Sequence, residues 1–198
     1  MRFAAAFLLF LFALLTVALH RAATPAAAKP GDLRLSAIAS ELAHRPVVVH
    51  CEGAGDELTG VDGQSGRTVF FGGKPADETF LLEGICERLH TYSQLSKTGV
   101  ACPLPCDGST LETAWSLNAL AHESYHLAGV RNEARTECYA LQAIDFVAWR
   151  LGSSADQARQ LARFAFAELP DRMPAEYTSP DCHDGGRYDL RPSDPTWP

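Results

Sequence analysis

The sequence predicts an α+β domain, mostly helical, with a small sheet ahead of its central pair of helices and disulfides bracing the whole. Three observations carry this. Five stretches place apolar residues at helical spacing between capping or breaking residues. Three short runs rich in β-branched and aromatic residues all fall before residue 83. Six cysteines lie beyond what reads as an export signal.

The first 28 residues stand apart. Arg2 precedes an apolar or small run over 3–19 that only Thr16 interrupts, and His20 and Arg21 close it. Small residues at 22–28 then offer cleavage sites, so the segment reads as a signal peptide, with an uncleaved N-terminal anchor as the alternative. Residues 29–198 are then one domain, secreted or held in the cell envelope outside the cytoplasmic membrane, and long enough to bury a core. Cleavage near Ala28 removes Arg2 and Arg21 and takes the net charge from −7 to −9. Without a basic run or patch, nucleic acid is excluded as a partner, and membrane contact is expected only through the N-terminal segment.

Asp32 caps a helix to about Ala43, with Leu35, Ile38, Ala39 and Leu42 on one face. Residues 47–51 read as a strand, 52–67 as a Gly/Asp-rich loop whose acids lack a calcium-loop spacing, and 68–71 as a second strand. Gly72 to Pro75 reads as a turn and 79–82 as a third strand. A helix over 83–96 turns Ile85, Cys86, Leu89 and Tyr92 inward, and a loop over 98–108 follows. Ser154 and Gln157 form a capping box that opens the last helix, which runs to Leu169 and stops at Pro170. The tail over 177–198 is rich in Pro and Gly and has no period, yet Cys182 should staple it down as ordered chain.

Cys51, Cys86, Cys102, Cys106, Cys138 and Cys182 read as three disulfides, in any of fifteen pairings. A cysteine zinc site at Cys102 and Cys106 lacks the second Cys or His pair it would need.

The chemistry concentrates in 121–137. Ser109 and Glu112 form a capping box, and Ala114, Leu117, Leu120, Ala121 and Leu127 give a helical stripe that Gly129 ends. That helix carries His122, Glu123 and His126, a His-Glu-x-x-His run. Histidines four apart share a face and can grip one metal ion, while Glu123 at the rim can reach a metal-bound water. Asn132 caps a second helix over 133–151, packed inward through Cys138, Leu141, Ile144, Val147 and Ala148. The short connection folds the two helices into a hairpin, which brings Glu133 and Glu137 to the height of the histidines. One would be a metal ligand and the other would hold a histidine N–H, in either order.

These residues resemble the zincin metallopeptidases, and the gluzincins among them, whose third ligand is a glutamate opening a following helix with a second acid four residues on. The resemblance implies a minimal zincin-like domain with Zn2+ on His122, His126 and Glu133, Glu137 behind His122, and Glu123 as general base. It covers about thirty residues. The six residues between His126 and Glu133 are fewer than gluzincins usually have. The spacing with Gly129 is closer to metzincins, where Asn132 would stand at the third-ligand position. Glu137 as the ligand therefore stays open.

The implied activity is hydrolysis of peptide bonds in a peptide or protein substrate by a zinc-bound water that Glu123 activates. The alternatives are a non-catalytic, disulfide-stabilised exported binding domain and a zinc amidase acting on a cell-envelope amide. The resemblance further implies a strand beside the cleft that pairs with extended substrate, either 68–71 or 79–82. Tyr177, His183 and Tyr188 are candidates for a donor to the reacting carbonyl, with simple tail packing as the alternative for each.

Overall fold

The computed structural model describes residues 30–52, 65–97, 109–194 and 197. Residues 1–28, read above as an export signal, residues 53–64 of the acidic loop considered for calcium, and Cys102 and Cys106 lie outside the described residues, while the ends of that loop reading, Glu52 and Gly66–Arg67, are strand.

Helix α1 (Leu33–Ala43) starts where Asp32 accepts hydrogen bonds from the amides of Arg34 and Leu35. Strands β1 (Val48–Glu52), β2 (Gly66–Phe71) and β3 (Lys74–Leu82) form one sheet in the order β1-β3-β2. β1 runs parallel to β3, and β2 runs antiparallel to it. The β2–β3 hairpin turns through Gly72 and Gly73, both at positive φ (56° and 83°), where a side chain would be strained.

Four helices follow: α2 (Glu83–Lys97), α3 (Ser109–Leu127), α4 (Glu133–Arg150) and α5 (Ala155–Glu168), the last with its Ser154–Gln157 capping box in place. The α+β, mostly helical, disulfide-braced architecture is therefore present. Among the described residues no helix is long and apolar enough to cross a membrane.

Helix α3 is the spine. Its predicted stripe of Ala114, Leu117, Leu120, Ala121 and Leu127 is fully buried, and the helix packs against α1, α2, α4, α5, β2 and β3. Leu35, Leu89, Ile144 and Val147 meet it in one continuous core. Burial on several faces removes from solvent not only the apolar stripe but also Asn118, His122, Glu123 and His126. Buried polar groups of this kind need partners, and those partners build the site.

Among the described residues two disulfides tie the fold. Cys51–Cys86 joins β1 to α2, and Cys138–Cys182 joins α4 to the tail. Such bonds belong to oxidising compartments. The tail is ordered as expected: Gln142 donates to the carbonyl of Tyr188 (2.8 Å) and accepts from the amide of Leu190 (2.8 Å), and Arg191 pairs with Asp145.

The sheet departs from the sequence reading in one respect that matters. Residues 79–82 belong to the central strand, paired on both sides, so they have no edge to offer a substrate. β3 also begins earlier, at Lys74, and Pro75 is a strand residue opposite Phe70 next to a register irregularity. Proline is tolerated at such a point because the ladder is already interrupted. The exposed Asp77 and Glu78 hid this first half of the strand from a hydrophobicity pattern.

Candidate metal centre

The centre grows out of how α3 ends. The amide of Val130 bonds to the carbonyl of Tyr125 and that of Gly129 to the carbonyl of His126, while Gly129 takes φ 97°. This is the glycine-dependent close that releases the chain from a helix. It turns the carbonyl of Val130 back onto the ring of His126, whose Nδ1 donates to it at 2.7 Å. Asn132 then caps α4 through the amide of Arg135 (2.9 Å), and Glu133 becomes its first residue. The positive end of a helix dipole favours a carboxylate there.

His122 Nε2, His126 Nε2 and Glu133 Oε2 converge. The two nitrogens are 2.9 Å apart, and the oxygen lies 3.1 Å from His122 and 3.2 Å from His126. Glu137 lies on the opposite side of the His122 ring, with Oε2 2.9 Å from Nδ1. Its other oxygen accepts from the side-chain amide of Asn118 at 2.9 Å. Glu137 is thus spent on a histidine and an asparagine and takes no corner of the converging group.

The tautomers follow from these partners. A carbonyl can only accept, so His126 Nδ1 carries the hydrogen that bonds Val130. Glu137 accepts likewise from His122 Nδ1. In their neutral forms both rings then aim Nε2 lone pairs at each other and at a carboxylate oxygen. Three lone pairs at such separations repel unless a positive charge sits among them. In the absence of a metal ion, burial works to lower the pKa of His122, but hydrogen bonds with Glu133 and Glu137 outweigh it and hold it up to about 10. The two histidines in turn pull Glu133 down to about 2. A tetrahedral ion with ~2.0–2.1 Å bonds sets its donors about 3.3 Å apart, close to the spacing found. The donor set therefore fits a metal ion, and His122, His126 and Glu133 could hold one.

Glu123, the predicted base, is also buried (5% exposed). Its Oε2 accepts from the hydroxyl of Thr68 at 2.7 Å and lies 3.2 Å from that of Thr79. These threonines are cross-strand partners in β2 and β3. The Thr79 hydroxyl lies 2.7 Å from the carbonyl of Arg67, which leaves Thr68 as the stronger donor to Glu123.

A cavity of about 320 Å³ opens onto the trio. Gly66, Thr68 and Phe70 of β2 form one wall, Trp115 and Ala119 of α3 another, and Met173, Pro174 and Tyr177, between α5 and the tail, close it. Of the three tail candidates, only Tyr177 reaches the cavity, its ring 5.6 Å from that of His122. Burial, then Glu133 and Glu123, raise its pKa, so the phenol keeps its proton at neutral pH. His183 bonds the neighbouring Asp184 carbonyl, and Tyr188 packs on Tyr139.

Several partners went unseen in the sequence. Asn118 had a signal, since it stands one turn before His122 on the same helix face. Thr68, Thr79 and the tail wall had none, because sheet register and tail path place them. No family model, curated protein or solved structure matches the chain.

Proposed function

We propose that this chain is an exported zinc metallopeptidase. The observation that carries the reading is the convergence of His122 Nε2, His126 Nε2 and Glu133 Oε2 beside a cavity that also holds Glu123. Two imidazoles and one carboxylate suit zinc, and among the described residues the group has three members, which leaves a tetrahedral ion one open position. A zinc ion bound there would polarise a carbonyl and lower the pKa of a water to about 7.

The protein's own groups would supply the rest. Glu123 takes the proton of the attacking water and returns it to the leaving amine. Thr68 holds the carboxylate in place for this. Glu137 and Val130 fix the tautomers that present both Nε2 lone pairs. Tyr177 donates its phenol hydrogen to the carbonyl oxygen as negative charge builds there. β2, unpaired on one side among the described residues, offers an extended substrate backbone an edge alongside α3.

The test uses the zinc-loaded protein and a mixed peptide library read by mass spectrometry. Wild type should cut, and Glu123→Gln should keep stoichiometric zinc and cut nothing. A Glu123→Gln variant that remains active overturns the mechanism.

A further inference from the structure

Arg131 is not needed by anything above, yet it sits on the rim of the cavity. Its backbone is pinned on both sides, by Val130 accepting from His126 and by Asn132 capping α4. Its guanidinium lies over the ring of Phe70, 5.6 Å from the centroid. Phe70 in turn meets His126 edge-on, with centroids 5.9 Å apart. The cation is therefore two ring contacts from the metal ligands, within reach of about three residues of extended peptide at ~3.4 Å each.

Among the described residues its charge is unanswered. The nearest acid in sequence, Glu133, is engaged with both histidines. Among the described residues Arg131 has no acidic partner. The cavity's other arginine differs: Arg67 lies over Phe80 and faces Glu52 at 4.0 Å. Nearby Arg135 is occupied with Tyr139, to whose hydroxyl it donates at 2.9 Å. An arginine placed over an aromatic ring, with no hydrogen-bond acceptor on its guanidinium among the described residues, is arranged to take a carboxylate in a forked pair.

We infer that Arg131 reads a carboxylate on the substrate within about three residues of the bond to be cut, so that the site selects acidic peptides. This rests on the peptidase reading, and it goes beyond it by naming the substrate class. The carboxylate can come from an acidic side chain or from a free C-terminus.

The test is a binding measurement on zinc-loaded Glu123→Gln protein, which should not consume its ligand. The probes are short acetylated peptides in matched pairs: Glu against Gln with amidated ends, and free against amidated C-terminus. The carboxylate member should bind about five- to tenfold more tightly, and the margin should shrink with added salt. The first pair reports an acidic side chain and the second a chain terminus. Arg131→Ala should erase the margin with zinc content unchanged, Arg131→Lys should restore part of it, and Arg131→Glu should favour lysine-bearing peptides. No margin in the parent protein, or a margin that survives Arg131→Ala, overturns the inference. Wild-type cleavage is scored separately. Protein that shows the margin but cuts no peptide contradicts the peptidase reading and keeps the carboxylate site, whereas cutting without a margin does the reverse.

Discussion

Replacing Glu137 by Gln separates the two acids of α4 more sharply than any other single change. Glu137 is 3% exposed and accepts two hydrogen bonds of 2.9 Å, from His122 and from Asn118. A glutamine carbonyl can still accept from His122, but its NH2 then confronts the NH2 of Asn118. The conflict has a local remedy. Asn118 Oδ1 is buried without a partner, so turning the Asn118 amide over gives the new donor an acceptor. Packing and bond count survive, and what is lost is the charge. A charge-assisted bond contributes ~1.5–3 kcal/mol and a neutral one ~0.5–1.5, a difference of about 1–2 kcal/mol. Metal affinity should therefore fall about tenfold, and no more than about a hundredfold, with one ion still bound at saturation. Competition against a chromogenic chelator of known affinity measures this, with Glu133→Gln as the comparison that removes a corner of the group. Wild-type affinity in Glu137→Gln would show that the contact does nothing for the metal. Abolished binding in Glu137→Gln, with binding retained in Glu133→Gln, would exchange the roles of the two acids.

The Cys138→Ala/Cys182→Ala pair opens a loop of 44 residues, for which chain entropy sets a ceiling of about 4 kcal/mol in lost stability. Thermal unfolding should show a loss, smaller than that ceiling because Gln142 and Asp145 still hold the tail, and an unshifted midpoint would refute the bracing role. Thr68→Val removes the 2.7 Å bond to Glu123, so kcat on a cleaved peptide should drop about tenfold with KM little changed, and an unaltered kcat would remove Thr68 from the mechanism. Metal-free protein should show two stability limbs. The His122 contribution is whole below its ordinary 6.5 and fades as pH rises toward about 10, while that of Glu133 is whole above its ordinary 4.5 and fades as pH falls toward about 2. Melting of chelated protein across this range should follow both limbs, and a flat profile would mean the carboxylate–histidine contacts contribute nothing.

Where the code was local, the sequence was legible. Asp32, Asn132 and Ser154 announced their helices because a cap is written within four residues of the turn it satisfies. The height of the two acids was legible for the same reason: Gly129 and Asn132 leave so short a connection that Glu133 and Glu137 must stand beside the histidines. Spacing alone does not distinguish the two acids, since both lie on one helix face. The structure separates them because Glu133 meets the Nε2 side of His122 and Glu137 the Nδ1 side. The strand order was hidden. Nothing within 68–82 says that β1 pairs with β3 rather than with β2, and that long-range choice is what leaves β2 on the edge. Thr68 under Glu123 was illegible likewise, the two being 55 residues apart and joined only by packing.

The most direct test of the whole account is the metal content of the purified domain, residues 29–198, beside its His126→Ala variant, each with its fold checked by circular dichroism. One equivalent of a divalent metal in wild type and almost none in a folded variant is the predicted result. A metal-free wild type that cannot be loaded with zinc, or a variant that keeps its full equivalent, would contradict it.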